Sequence, residues 1–172
     1  MKHTLRLLLV LLVIVSCKDK SAEHTDNLFK FKDFISYNTN GRQSIVEPIK
    51  IGLAKSLEQY ELNQEIDASL VSIKPKVEGK LILENSNTLV FQPSEKLKPD
   101  TEYSVTVKLN KFYNDVPKEF KDYTFSFKTI TPDFKINLGN LQSYSKDWQY
   151  LTATLQASDV LDVDDVKKVV EA

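Results

Sequence analysis

Cysteine and histidine are almost missing from this sequence: Cys17 is the single cysteine, and His3 and His24 are the two histidines, in 172 residues. Past residue 24 there is no donor for a metal site built from His and Cys ligands. Ser-His and Cys-His nucleophilic pairs are excluded on the same ground. One cysteine cannot close a disulfide within the chain, so the fold must be held by its core. Glycine is also scarce, with 4 in the chain, and no glycine-rich phosphate loop can be assembled from them. Neither sign of charge dominates: 23 Lys+Arg stand against 24 Asp+Glu, interspersed along the chain. That balance offers no basic stripe for nucleic acid and no acidic tail. The carboxylates fall mainly on alternating polar positions, where a solvated surface role is the default. These absences predict a non-enzymatic protein with no cofactor, no metal and no nucleic-acid partner.

What is present begins at the N-terminus. Lys2 and Arg6 precede an unbroken apolar run from Leu7 to Val15, then Ser16 and Cys17. A positive start, a short apolar stretch and a small residue at the cut read as an export signal, and the run falls short of the roughly 20 residues needed to span a bilayer. Ile14-Val15-Ser16-Cys17 resembles the bacterial lipobox, which implies cleavage before Cys17 and lipidation of its thiol. The expected location is the bacterial cell envelope, lipid-anchored and facing the periplasm or the cell surface. Residues 1–16 are then the signal peptide and 17–28 a polar tether reaching at most about 35–45 Å.

From Phe29 to Thr129 the dominant period is two. Ile49, Ile51 and Leu53 alternate with Lys50 and Gly52; Val77, Gly79, Leu81 and Leu83 share one face; Leu89 and Phe91 repeat the pattern. Tyr103, Val105, Val107 and Leu109 oppose Glu102, Ser104, Thr106 and Lys108, and Tyr123, Phe125 and Phe127 oppose Thr124, Ser126 and Lys128. Strands with one dry and one wet face are what two packed sheets require. Turn residues fill the gaps at Asn40-Gly41, Asn85-Ser86-Asn87, Pro93-Ser94 and Pro99-Asp100. Only 54–70 is of mixed polarity and ambiguous. Residues 29–131 are therefore expected to form an Ig-like antiparallel β-sandwich in an all-β protein. Leu97, Pro99 and Tyr103 are placed as its structural residues. They stand at the offsets of a tyrosine corner, in which the phenol bonds back to the loop before its strand.

After Pro132 the pattern restarts, with Phe134, Ile136 and Leu138 alternating, then Leu151, Ala153 and Leu155. Val163, Val166 and Val170 follow at helical spacing, with Asp162 as N-cap. Two strands and a short helix cannot close a sandwich, so 132–172 reads as the start of an incomplete second β domain. The acids Asp159, Asp162, Asp164 and Asp165 lack the order of an EF-hand loop, and acids at a helix N-terminus are favourable without a metal. The segment from Asn110 to Lys121 carries Phe112 and Tyr113 among lysines. Two roles are open to it: a partner-contact loop, or a cover over the end of the core.

The runs Leu70-Val71-x-Ile73-x-Pro75-x-Val77-x-Gly79, Leu89-Val90-Phe91-x-Pro93, Leu97-x-Pro99-x-Thr101-x-Tyr103-x-Val105 and Tyr123-x-Phe125-x-Phe127-x-Thr129 resemble the bacterial Ig-like domain. With the lipobox and the restarted pattern, they resemble in particular the N-terminal Ig-like region of bacterial alpha-2-macroglobulin-like lipoproteins. That resemblance implies a membrane contact through lipid on Cys17, downstream domains of a longer polypeptide, and target proteases met through those domains. The family's Cys-x-Glu-Gln thioester is not in this sequence, so no inhibitory residue carries over. Bacterial Ig-like domains also occur in adhesins, which leaves a surface adhesin or glycan-binding lipoprotein as the alternative.

Overall fold

The computed structural model describes residues 27–169. The expected signal peptide, Cys17 and the tether as far as residue 26 lie outside the described residues. So does Val170.

The strands of the sandwich are β1 (Ile35–Asn38), β2 (Arg42–Gln43), β3 (Ile49–Leu53), β4 (Glu65–Ile66), β5 (Val71–Lys74), β6 (Gly79–Asn85), β7 (Thr88–Pro93), β8 (Glu102–Lys108) and β9 (Asp122–Thr129). They form a five-stranded sheet in the order β1-β3-β7-β6-β4 and a four-stranded sheet in the order β2-β9-β8-β5. All pairings in both sheets are antiparallel except the short β2–β9 contact, which is parallel. The all-β Ig-like sandwich expected from the period of two is the observed fold. Burial follows the alternation closely in β9, where Tyr123, Phe125, Phe127 and Thr129 face inward and the residues between them are exposed.

The core lies between the sheets. Ile49, Ile51, Leu53, Leu81, Leu83 and Leu89 come from the first, and Val105, Val107, Tyr103, Tyr123, Phe125 and Phe127 from the second. Fully burying an aliphatic side chain of this kind contributes about 1.5–3 kcal/mol, so these faces supply the main driving force for a fold without disulfides. Gly41, in the turn between β1 and β2, has φ of +68°, a conformation that costs glycine nothing and most residues strain. Gly52 is required by proximity: a Cβ there would run into the Tyr37 ring and Ser36 Oγ.

Three features differ from expectation. Residues 27–34, at the start of the region read by its period of two, form a helical turn; Phe31 and Ile35, four apart, both enter the core. Asn27 and Leu28 belong to the folded unit and not to the tether, since Asn27 Nδ2 donates to the Thr124 carbonyl at 2.6 Å and Leu28 packs on the core. In β7 the alternation fails because Thr88, Leu89, Val90 and Phe91 are all buried. The strand is central in its sheet, and Thr88 Oγ1 is bonded to Tyr37 Oη at 3.1 Å.

Beyond the sandwich, β10 (Phe134–Leu138) pairs antiparallel with β13 (Ala153–Ala157). Between them the chain makes a small hairpin, β11 (Gln142–Ser143) with β12 (Gln149–Tyr150). Leu151, expected in a strand, precedes β13; the ladder ends at Thr152, whose carbonyl accepts from Gly139 N at 2.8 Å. Helix α1 (Val163–Val169) follows. Every residue of β10 is exposed, including Phe134 at 56% and Leu138 at 67%. In β13, Leu155 and Ala157 are half-buried, and a two-stranded ladder that buries this little is marginal alone.

Candidate functional site: the corner and the junction beneath it

Among the described residues no group of His, Cys, Asp or Glu is placed to hold a metal ion, and no helix is long and apolar enough to cross a membrane. Several side-chain hydrogen bonds converge at the end of the sandwich where β9 leaves it.

Tyr103, on β8, is 2% exposed, and its ring stacks on Phe127 with centroids 5.4 Å apart. Its hydroxyl accepts from Lys98 N at 2.9 Å, on the loop that leads into β8. Leu97 is buried beside it and donates its backbone N–H to the Ile45 carbonyl at 2.8 Å. The Pro99 carbonyl accepts from Thr101 Oγ1 at 2.8 Å, which orders the turn between them. Asp100 takes φ of +48° there. Its carboxylate is held below the ordinary range by Lys128 Nζ at 2.6 Å and by the Thr131 hydroxyl at 2.6 Å.

Thr129 ties the corner together, and the sequence reading gave it no role. It is wholly buried. Its hydroxyl donates to the Lys98 carbonyl at 2.6 Å and accepts from Thr101 N at 2.9 Å. The available signal was a polar residue standing at an inward position of the β9 alternation. Asn38 is the second such case: buried on β1, its Oδ1 accepts from Tyr123 Oη at 2.7 Å. Burial pushes the Tyr123 phenol up to about 12.

Below the corner, the second unit is fastened to the sandwich by side chains of 158–162. Asp159 Oδ1 accepts from Ser44 Oγ at 2.6 Å and from Val160 N at 2.8 Å, while Oδ2 accepts from Ile45 N at 2.9 Å. Burial alone would raise this carboxyl, yet the bonds from Ser44, Ile45 and Val160 outweigh it and hold it below its usual value. Ser158 Oγ donates to the Thr131 carbonyl at 3.0 Å and accepts from Asp133 N at 2.9 Å. Both oxygens of Asp162 accept from Lys96 Nζ at 2.7 Å. The carboxylate expected to serve the helix N-terminus thus faces the sandwich, while Val166 N donates to the Asp162 backbone carbonyl at 3.1 Å. Between the fastenings lies a cleft of about 530 Å³, lined mainly by apolar side chains including Leu97, Ile130, Phe134, Leu155 and Val166.

The aromatic segment from Asn110 to Lys121 lies at the opposite end. Phe112 is 4% exposed and part of the core. Tyr113 is partly buried against it, near Phe34 with centroids 5.6 Å apart, and its hydroxyl donates to the Phe34 carbonyl at 3.0 Å and accepts from Lys55 N at 3.3 Å. Phe120 meets Phe31 edge-on at 5.2 Å. Of the two roles open to this segment, its side chains fill the core cover. Phe112 presents no surface to a partner, because the helical turn at 27–34 and this segment close over each other.

The family model of the bacterial Ig-like domain matches residues 33–129. No curated protein matches the chain. Among solved structures, the chain is similar to L,D-transpeptidase 3 from Mycobacterium tuberculosis in complex with a faropenem-derived adduct, with 9% identity and a TM-score of 0.38, over 60% of this chain and 40% of that one. It is also similar to an L,D-transpeptidase from Mycobacterium tuberculosis H37Rv, with 11% identity and a TM-score of 0.40, over 59% of this chain and 41% of that one. The chain thus spans about two fifths of the length of these structures.

Proposed function

We propose that this chain, which belongs to the bacterial Ig-like domain family, is the lipid-anchored, non-catalytic N-terminal module of a bacterial alpha-2-macroglobulin-like protease inhibitor. Its job is to anchor and space the domains that follow. The observation that carries this reading is the layout. The chain enters the sandwich beside Thr124 and the start of β9, and the second unit hangs from the other end of the same strand. An element that works in series between an anchor and a load needs its two connections at opposite ends. The exposed residues of β10 and β13 are then the surface against which downstream β structure packs. Lipid on Cys17 supplies the membrane contact, and target proteases are met through the later domains.

Two measurements test this. The mass of the mature N-terminus should carry a diacylglyceryl increment that Cys17→Ser abolishes; an unmodified Cys17 removes the anchor. The full-length product should shield a bound protease from large but not small substrates, while this chain alone should not. Full-length protein that leaves cleavage of large substrates untouched removes the inhibitor role.

A second reading rests on a separate observation. Tyr144 and Tyr150 stack at 5.5 Å on the β11–β12 hairpin, with Trp148 beside them 73% exposed. Exposed aromatic faces of this kind suit sugar rings, as a glycan-binding lipoprotein would need. Glycan binding lost on Tyr144→Ala and Trp148→Ala would favour it over the spacer.

A further inference from the structure

The geometry points to Asp159 as the latch of a rigid joint, a positioning residue that fixes the second unit at one angle on the base of the sandwich so that the two move as one body. The connection between Thr129 and Phe134 consists only of Ile130, Thr131, Pro132 and Asp133. It is a short link, with φ fixed at Pro132. A short link limits distance but leaves a hinge and a twist free. Those two freedoms are removed by contacts to two other loops: Ser44 and Ile45, between β2 and β3, hold Asp159, and Lys96, between β7 and β8, holds Asp162. Ser158 closes the third point against the link itself. Three attachments on three separate segments define an orientation.

The three are not equal. Lys96 and Asp162 are both substantially exposed, with side chains 42% and 61% accessible, and an ion pair of that kind contributes little once screened. Asp159 is engaged through part-buried, charge-assisted bonds, one of them to a backbone N–H, which are the stronger class. Apolar packing between the two units is interrupted by the cleft of about 530 Å³, so it sets their angle less firmly than a closed interface would. That leaves Asp159. The joint does not rest on the anchoring role, and it would stiffen the chain whatever follows.

Asp159→Asn is the informative change: it removes the charge and keeps one acceptor, so the amide nitrogen confronts the backbone N–H of either Ile45 or Val160, and only the Ser44 hydroxyl can turn to accept from it. Ser44→Ala breaks the same contact from the sandwich side, in case the first variant folds poorly. Amide hydrogen exchange on the full chain, with small-angle scattering, reads the result. In both variants, exchange in 44–46 and 158–162 should accelerate by about tenfold, the equivalent of one such bond. The radius of gyration should rise, and β5, β8 and β9 should keep their protection. Lys96→Ala should change these readings by less than about threefold. Wild-type exchange and scattering in both variants would overturn the latch. So would loss of protection in β8 and β9 together with the junction, since Asp159 would then be a stability residue of the sandwich.

Discussion

Replacing Thr129 by valine changes almost nothing in shape and removes the hydroxyl on which the corner converges. The side chain is wholly buried, so water cannot take the place of the lost group. Two bonds disappear, to the Lys98 carbonyl at 2.6 Å and from Thr101 N at 2.9 Å. A net hydrogen bond contributes about 1 kcal/mol, and a buried donor left without a partner costs about 1–3 kcal/mol. Two bonds with one orphaned backbone N–H therefore give an expected loss of about 2–4 kcal/mol for Thr129→Val. Thr129→Ser keeps the hydroxyl and loses one methyl group, an expected cost of about 1 kcal/mol. The order of the two variants is the test, since packing alone would favour valine and hydrogen bonding favours serine. Urea unfolding of the full chain should be followed by near-ultraviolet circular dichroism, which reports Tyr103 and Tyr123. Trp148 fluorescence would be blind to the change, because that residue sits on the β11–β12 hairpin outside the sandwich. A loss of about 3 kcal/mol corresponds to roughly 12–24 °C in Tm for a unit of this size. Valine as stable as the wild type, or more stable than serine, would show that the Thr129 hydroxyl does not hold the corner.

Three further outcomes follow from the packing. Tyr123, whose phenol burial pushes up to about 12, holds its proton more tightly folded than unfolded, where it titrates near 10. The stability this contributes is whole below about pH 10 and is lost as pH rises toward about 12, an effect on the order of 2 kcal/mol; alkaline unfolding shifted less than that by Tyr123→Phe would contradict it. Gly52→Ala should destabilise by about 1–3 kcal/mol through overpacking, because the new Cβ meets the Tyr37 ring, and an unchanged urea midpoint would show that the ring moves freely. Phe112→Ser should cost about 3–5 kcal/mol as a core deletion, whereas Tyr113→Phe, losing one partly buried hydroxyl, should cost about 1 kcal/mol; a Phe112→Ser protein that melts like the wild type would return this segment to partner contact.

The strands were legible because their burial is local and periodic. In β8 and β9, each residue's face is fixed by its neighbours two positions away, so Tyr103, Val105, Tyr123 and Phe125 could be placed from the chain alone. The failures have a common cause. Thr88 and Val90 are buried by the central position of β7 in its sheet, and nothing within the strand encodes its place in the order. Asn38, polar in a polar neighbourhood, is buried by a phenol 85 positions away. Asp159 and Asp162 look locally like helix-capping acids, and their partners Ser44, Ile45 and Lys96 are from 66 to 115 positions distant. The helical turn at 27–34 did carry a signal, in the spacing of Phe31 and Ile35, but the polar run before it masked the start of the folded unit.

The parallel contact between β2 and β9 has a mechanical consequence. From Asn27, beside Thr124, the chain passes through β1 in the other sheet and returns to β9 at Arg42 and Gln43, which pair with Lys128 and Thr129. Lys128 N donates to the Gly41 carbonyl at 2.9 Å, and Ile130 N to that of Gln43 at 2.9 Å. Tension drawn between residue 27 and residue 131 pulls β2 and β9 in opposite senses along their common direction. Their bonds are then sheared together and do not open one after another as a zipper does. Resistance to such a pull is a matter of rate, and this two-residue ladder stands directly in the line of force.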